Sequence, residues 1–364
     1  MQAKQAIAAV TVGVFMAMVS TAPADVLNMG GTRSPDGTWI GLASLETVVV
    51  GNTGNIGELS GASTGPGHGS WGPDRICGAV DYKYRIGTYE VTAGQYTEFL
   101  NAVATTDRYG LYNLSMRTDF KGCRIQRSGQ EGNYAYSVEP DWANRPVNFV
   151  RWADALRFAN WLHNGQPTGK QDRTTTEDGA YFLNGATLGD ALKAVKREPD
   201  WKWALASEDE WYKAAYHKND GDTGNYNSRP IVGSSSNQLV DPDPGGNATF
   251  YEFGGNGCTI GEPYFRTEVG EHENSESPYG TFDMAGNVWE WNEATVGNYF
   301  GVRGSGFADD GDGMWAGYRC DYFQFGADVG FRVVTVPEPA TVGLLAVGAC
   351  LGLRRRIIGP GCML

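Results

Sequence analysis

The 364-residue chain has few basic residues, few histidines and no closely spaced cysteines, and each shortage excludes a class of function. Its 29 Lys and Arg residues face 42 Asp and Glu residues, giving a formal charge of −13 without an interior basic stripe. Nucleic acid is therefore a poor partner, whereas divalent cations or cationic surfaces remain compatible with the charge. The four histidines form no HxxxH or HExxH pattern, so that type of metal site is not expected.

Glycine and aromatic residues, in contrast, are abundant. The 51 glycines follow no three-residue period, which excludes collagen, and 11 Trp, 18 Tyr and 15 Phe provide enough apolar surface for a core. We interpret the glycines as tight turns between short elements. The composition therefore argues against a long helical bundle, and the chain is predicted to fold as one α+β domain.

The N-terminal residues have the pattern of a secretory signal. Lys4 precedes an apolar run from Ala6 to Val19, and Ala22-Pro23-Ala24 forms a small-residue site for signal peptidase. Residues 1–24 are therefore interpreted as a cleaved signal peptide for the Sec route. The alternative is a membrane helix that stays in place, but the run is short for a span.

The C-terminal residues follow a three-part order. Val336-Pro337-Glu338-Pro339 precedes the apolar or small residues 340–353, and Arg354-Arg355-Arg356 follows. This order resembles the PEP-CTERM sorting signal, which an exosortase recognises and cleaves, although the extension Ile357 to Leu364 departs from it. The apolar part would span only about 21 Å as a helix, a short transmembrane stretch. Residues 335–364 are thus predicted to anchor the chain transiently in the inner membrane before it reaches the envelope or the exterior.

Four cysteines, Cys77, Cys123, Cys258 and Cys320, belong to the predicted exported part of the chain. Exported cysteines favour disulfides, and the wide spacing lacks the CxxC pairs typical of zinc sites. The sequence does not choose among the possible pairings.

The interior of the chain divides by composition into two segments. Residues 25–80 are rich in Gly, Ser and Thr, and residues 81–334 follow them. We expect the first segment to be a leading extension of the domain formed by the second. Three helices are predicted in the domain, near Thr92, Trp152 and Ser207. Capping boxes favour the first and third, and an apolar face favours the second.

The most informative run extends from Ser277 to Trp291 and alternates aromatic residues, carboxylates and glycine turns. Asp283 and Glu290 can offer carboxylate oxygens while the turns expose carbonyls, and a hard cation such as calcium prefers such oxygen ligands. The alternative is an aromatic core strand capped by surface acids.

This run, with several others in the same order, resembles the formylglycine-generating enzyme family, also called the sulfatase-modifying factor domain. The matching segments are Tyr89-Glu90-Val91-Thr92, Arg145-Pro146-Val147, Ser207-Glu208-Asp209-Glu210-Trp211, Tyr279 to Trp291, Arg303-Gly304-Ser305, Tyr318-Arg319 and Gly330-Phe331-Arg332-Val333. The resemblance implies a loop-rich α+β fold related to C-type lectins, with little regular secondary structure.

The resemblance also implies two calcium sites. Carried over to this sequence, the first uses the side chains of Asp283 and Glu290 and the carbonyls of Gly286 and Val288. The second begins at Asn247-Ala248, and its later ligands fall in a divergent loop and stay unassigned.

The resemblance does not extend to the family's catalytic residues. The family oxidises a substrate cysteine with two cysteines that follow the Arg303-Gly304-Ser305 segment and hold copper. No cysteine lies between Arg303 and Arg319, and carboxylates cannot replace thiolates as ligands of Cu(I). Copper is therefore not expected, and no catalytic residue is assigned. Ala204 and Ala206 also replace the usual Arg and Pro of the family.

Asp309, Asp310 and Asp312 occupy the region of the missing cysteines. They are compatible with a site for a cation or a basic ligand, with a solvated acidic loop, or with part of a recognition surface.

Three functions follow as hypotheses. The first is an exported, calcium-stabilised, noncatalytic module that binds an exopolysaccharide or another envelope ligand. The second is a sulfatase-modifying oxidase that converts a substrate cysteine to formylglycine. The third is another oxidative enzyme using iron, which would need two histidines and a carboxylate together. The missing cysteine pair favours the first.

Overall fold

The computed structural model describes residues 26–27, 32–33, 39–40, 45–61, 72–230, 248–252, 257–272 and 274–336. The predicted signal peptide and nearly all of the sorting tail, including its apolar stretch, lie outside the described residues. Within these ranges, no helix is long and apolar enough to cross a membrane.

The α-helices of the described residues are short, and three of them begin where the sequence predicted. They are α1 (Ala93–Val103), α2 (Ser115–Thr118), α3 (Trp152–His163), α4 (Gly189–Lys193) and α5 (Glu208–Tyr216), with 3₁₀ turns at Pro140–Trp142 and Gly311–Met314.

Both predicted capping boxes are present. The Thr92 hydroxyl accepts from the Gln95 amide at 3.2 Å, and the Gln95 side chain accepts from the Thr92 amide at 2.9 Å. Ser207 and Glu210 make the same reciprocal pair at 3.1 and 2.7 Å. Each box satisfies two amide groups that the first helical turn would otherwise leave unpaired, which fixes the starts of α1 and α5.

The strands are also short. They are β1 (Val26–Leu27), β2 (Thr32–Arg33), β3 (Trp39–Ile40), β4 (Leu45–Val50), β5 (Glu58–Ser60), β6 (Arg75–Cys77), β7 (Tyr84–Gly87), β8 (Ile125–Ser128), β9 (Ala135–Val138), β10 (Trp203–Leu205), β11 (Tyr251–Glu252), β12 (Gly257–Cys258), β13 (Trp289–Val296), β14 (Tyr299–Arg303), β15 (Cys320–Tyr322), β16 (Val329–Phe331) and β17 (Val333–Thr335).

A five-stranded antiparallel sheet has the order β1-β4-β7-β17-β10. Ile86 of β7 lies between Val48 of β4 and Val334 of β17, so the centre of the sheet joins the beginning and end of the domain. Strand β4 belongs to the predicted leading extension. Residues 45–50 are therefore part of the central sheet rather than an appendage to it.

A four-stranded sheet, β15-β14-β13-β16, carries the aromatic run singled out in the sequence. Strand β13 pairs in parallel with β16, with Glu290 opposite Gly330, and antiparallel with β14. The other pairs, β2-β3, β5-β6, β8-β9 and β11-β12, are small ribbons.

The main core lies where α1 and α3 pack against β16. Tyr96, Phe99, Phe158, Trp161 and Phe331 form a cluster with ring centroids 5.3–6.5 Å apart. Each of these side chains is at most 3% exposed. Burying one such ring stabilises the fold by roughly 1.5–3 kcal/mol.

The expected disulfides are absent from the described residues, so this prediction was wrong. Cys77, Cys123, Cys258 and Cys320 are all unpaired thiols. Cys77 lies beside Arg75 and Arg303, whereas Cys123 is buried near Arg266.

Candidate functional site

Glu290, on β13, is fully buried and held by three donors. Arg332 donates from Nε and Nη2 to its two carboxylate oxygens, each at 2.6 Å. The Trp211 indole donates to Oε2 at 2.8 Å. The remaining donors of Arg332 reach the carbonyls of Gly87, Thr88 and Phe282. Glu290 and Arg332 therefore form a buried ion pair that joins β13, the residue between β16 and β17, and the end of β7.

Asp283 lies at the turn that precedes β13, in the left-handed region at φ 56°. Its carboxylate accepts from the Gly270 amide at 2.6 Å and lies 3.5 Å from the Ser275 hydroxyl. Burial raises the pKa of Asp283 to about 6, although the Gly270 amide and Arg332 oppose that shift. The site thus holds a second buried carboxylate that has no guanidinium partner of its own among the described residues.

Gly286 and Val288, the predicted carbonyl ligands, belong to the same turn. Gly286 has φ 79°, and an added Cβ would lie 2.2 Å from the Thr249 carbonyl oxygen, so only glycine fits there. Val288 is 1% exposed. All four predicted ligands of the first calcium site therefore lie in one buried turn and strand.

The second predicted calcium site is described only at Ala248, because Asn247 lies outside the described residues. Ala248 is buried in a small cluster with Phe250, Ala285 and Met314. Its backbone is therefore close to the turn that carries the first site.

Glu90, from the segment between β7 and α1, is a third buried acid. It is 1% exposed, and neither carboxylate oxygen has a hydrogen-bond partner among the described residues. Burial raises the pKa of Glu90 well above its usual range, and Asp283 is the strongest charged neighbour acting in the same direction. The alternative of acids capping a core strand at the surface is therefore wrong, because these acids are inside.

These carboxylate oxygens suit a hard divalent cation, since in the part of the chain that the structure describes the three buried acids have only Arg332 as a close counter-charge. In the described ranges, however, no three His, Cys, Asp or Glu side chains converge on a common metal position. Calcium takes about six to eight oxygen ligands. An ion here would therefore depend on carbonyl and water oxygens as well as on carboxylates.

The three aspartates that occupy the region of the missing cysteines have separate roles. Asp309 is partly buried and accepts from the Trp289 indole at 2.6 Å. Asp310 instead accepts from the Asp312 amide at 3.1 Å and starts the 3₁₀ turn, and Asp312 is exposed. The solvated-loop alternative therefore describes Asp312, whereas Asp309 belongs to a structured site.

Asp309 forms a hydrogen-bonded carboxyl pair with Asp328, a residue that sequence reasoning did not single out. Asp328 is 6% exposed and accepts from the Tyr322 hydroxyl at 3.3 Å. Burial raises the pKa of Asp328 to about 7, and its hydrogen bond with Asp309 adds to the shift. Two carboxyl groups in contact cannot both ionise readily, so the pair favours a shared proton or a nearby positive charge.

Cys320 cannot supply the missing thiol chemistry alone. It begins β15, is 8% exposed, and burial raises the pKa of its thiol to about 12. Since the thiolate is the metal-binding form, this cysteine is poorly suited to copper.

Each of the described histidines makes hydrogen bonds with its own neighbours, and these neighbours differ from one histidine to the next. His217 bonds with the Tyr279 hydroxyl at 2.8 Å, and His272 bonds with the Thr249 hydroxyl at 2.8 Å. His163 accepts from the Lys202 amide. His68 lies outside the described residues. The described part of the chain thus gives no support to an iron site with two histidines.

An open cleft of about 440 Å³ lies elsewhere on the domain, and sequence reasoning did not find it. Its lining combines donors and acceptors from the β8–β9 ribbon and its neighbours. These residues are Arg117, Arg124, Gln126, Glu139, Asp141, Trp142 and Pro263. No single motif marks the cleft, because its walls come from three separate chain segments.

Comparisons with known proteins agree with this architecture. A family model described as a sulfatase-modifying factor enzyme 1-like domain matches residues 78–336, and a PEP-CTERM protein-sorting motif matches residues 335–356. No curated protein matches the sequence.

Several solved structures are similar to the chain, among them the following three. Treponema denticola variable protein 1 is 16% identical with a TM-score of 0.51, covering 87% of this chain and 100% of that one. CarF is 20% identical with a TM-score of 0.49, covering 81% and 99%. PvdO from Pseudomonas aeruginosa is 18% identical with a TM-score of 0.48, covering 87% and 100%. The predicted loop-rich α+β fold is confirmed.

Proposed function

The chain belongs to the sulfatase-modifying factor enzyme 1-like domain family, and from this premise we propose that it is a noncatalytic binding module of that family. Its PEP-CTERM motif directs export and membrane-anchored sorting and implies processing by an exosortase. The proposed destination is the cell envelope or the exterior, with an exopolysaccharide or another envelope component as the ligand.

The observation that supports a noncatalytic role is the identity of the groups in the former catalytic loop. Between Arg303 and Arg319 the chain has no cysteine. Asp309 fills part of this region, bonded to Trp289 and paired with Asp328. Hard carboxylate oxygens do not bind Cu(I) as thiolates do, so oxygen activation by the family's copper chemistry has no ligand pair here.

The polar cleft is the proposed ligand site. Gln126 donates to Glu139 at 3.2 Å, and Tyr264 donates to Asp141 at 2.9 Å, which holds these acceptors in place. Arg117 is exposed at the cleft. Closely spaced donors and acceptors suit a ligand rich in hydroxyl groups, such as a glycan.

Calcium is the proposed structural ion. Asp283 and Glu290 would supply carboxylate oxygens, and Gly286 and Val288 would supply carbonyls. When bound, the ion supplies positive charge that offsets the buried acids. The chain's own contribution is the turn that carries these residues, and this turn requires glycine at position 286.

A peptide assay tests the absence of oxidase activity. The purified full chain would be incubated with a CxPxR-type peptide, copper and oxygen, and aldehyde formation would be followed by mass spectrometry. We expect no product above the background without protein. Product formation above that background would favour the alternative, a sulfatase-modifying oxidase.

A glycan array with the same protein tests the binding role. Arg117→Ala should weaken any glycan signal, because it removes an exposed donor at the cleft. Arg173→Ala is the matched control, since Arg173 is exposed but does not line the cleft. Equal loss in both variants, or no glycan bound by the parent, would count against this ligand site.

A further inference from the structure

The buried residues Glu90, Asp283, Glu290 and Arg332 are called the buried acid cluster below. Glu90 lies where three chain segments around this cluster meet. The Val91 amide donates to the Phe331 carbonyl at 2.9 Å, which ties the Glu90 segment to β16. The Phe282 amide donates to the Thr88 carbonyl at 2.8 Å, which ties the same segment to the turn of Asp283. Glu90 is therefore between the chain segments that carry Asp283 and Arg332.

The carboxylate of Glu90 lacks the partners that its neighbours have. Arg332 directs its donors to Glu290 and to backbone carbonyls. Asp283 accepts from an amide. Both Glu90 oxygens are buried without a donor among the described residues. A buried carboxylate without hydrogen bonds is costly, so the missing donors need an explanation.

We propose that Glu90 accepts hydrogen bonds from water ligands of the calcium ion assigned to Asp283 and Glu290. This inference rests on the proposed calcium binding. Four protein oxygens leave about two to four positions of a calcium ion for water. Because no three acidic side chains converge on one metal position in the described ranges, Glu90 acts through the water and not as a direct ligand.

The arrangement explains the charge of the cluster as well as the unpartnered oxygens. Three carboxylates and one guanidinium carry a net charge of −2 when all are ionised, and a divalent cation neutralises it. Calcium-bound water is a hydrogen-bond donor, which is what the Glu90 oxygens lack. Glu90 is thus a positioning residue, and residues that orient metal ligands typically change affinity by about 10- to 100-fold when mutated.

The test measures calcium affinity of the purified full chain by isothermal titration. Glu90→Gln keeps the shape but removes the charge, and it should weaken binding by about 10- to 100-fold. Glu131→Gln, at an exposed acid outside the cluster, should bind as the parent does. If the parent binds calcium and Glu90→Gln binds equally well, the role of Glu90 is wrong while the calcium assignment stands. If the parent binds no calcium, both are wrong.

A second measurement does not depend on the folding of any variant. Terbium substitutes for calcium, and Trp211, bonded to Glu290, can sensitise its luminescence. Luminescence lifetimes in H₂O and D₂O report the number of bound waters. The parent protein should show at least one terbium-bound water. A site without water would overturn the proposal, since Glu90 would then have no donor to accept from.

Discussion

Arg303 and Glu208 are joined by two hydrogen bonds to one carboxylate oxygen, from Nε at 3.1 Å and from Nη2 at 2.8 Å. Arg319 adds two bonds to the same carboxylate, each at 2.7 Å. Glu208, Arg303 and Arg319 are at most 3% exposed. The first residue of α5 is therefore the centre of a buried charge network that holds both ends of the 303–319 segment.

Glu208→Gln should lower the free energy of unfolding by about 3–5 kcal/mol, because it leaves two buried guanidinium groups without their carboxylate. Urea denaturation of the parent and the variant measures the loss. Asp209→Asn is the control, since Asp209 pairs with Arg75, which is 39% exposed, and should cost less than about 1 kcal/mol. If both variants lose the same free energy of unfolding, the buried network contributes no more to stability than the exposed ion pair does.

The same network should make the fold sensitive to acid. Burial acts to raise the pKa of Glu208, but Arg303 and Arg319 outweigh it and hold the pKa at about 2, below the ordinary 4.5. The stabilisation is therefore present above pH 4.5 and is lost as the pH falls towards 2. Urea denaturation over this range should show that the difference in free energy of unfolding between the parent and Glu208→Gln becomes smaller as the pH falls. A difference that does not change with pH would contradict this pKa.

Asp328→Asn should have the opposite pH dependence. Because the pKa of Asp328 is raised to about 7 in the folded state, its favourable contribution is present below pH 4 and is lost as the pH rises through 7. The amide can donate to Asp309 at every pH. As the pH rises from 5 to 8.5, the free energy of unfolding of the variant should therefore increase relative to that of the parent by about 1–3 kcal/mol. Urea denaturation at each pH measures this change. A pH-independent difference would exclude the shared proton.

The cysteines of the domain should react as thiols. Cys258 is the most accessible, whereas Cys77, Cys123 and Cys320 are buried. Iodoacetamide should therefore label the Cys258 peptide first under native conditions and all four peptides in denaturant without reductant, as read by mass spectrometry. Peptides joined through sulfur would contradict the unpaired arrangement.

Removal of residues 1–77, up to the start of the family match, should prevent stable folding. This deletion takes away β4 and leaves β7 with an open edge in the central sheet. A fragment that starts at Leu45 keeps β4 and serves as the control. Solubility and thermal melting measure the outcome, and equal melting of the two fragments would show that β4 is dispensable.

The sequence predicted the helix starts and the turn before β13 because their signals are local. Thr92 with Gln95, and Ser207 with Glu210, contact each other within one helical turn. The turn at Gly286 is similarly contained in one contiguous run. Such features depend on neighbours along the chain, so a pattern of a few residues is enough to indicate them.

The rest of the site depends on contacts that no local pattern encodes. Asp328 meets Asp309 only after β16 pairs with β13, and Arg332 meets Glu290 across 42 residues. Glu90 could be recognised as part of a motif, but its lack of a donor is visible only once the core closes around it. The disulfide prediction failed for the same reason, because spacing does not reveal which sulfur atoms become neighbours.

Strand β17 lies between β7 and β10, and the sorting motif at 335–356 begins at its last residue. During secretion, β7 and β10 emerge long before the strand that joins them. The sheet can therefore close only after almost all of the domain has crossed the membrane, and until then both strands have open edges. An unpaired strand edge is a template for pairing with another chain, so β17 removes that template when it joins the sheet.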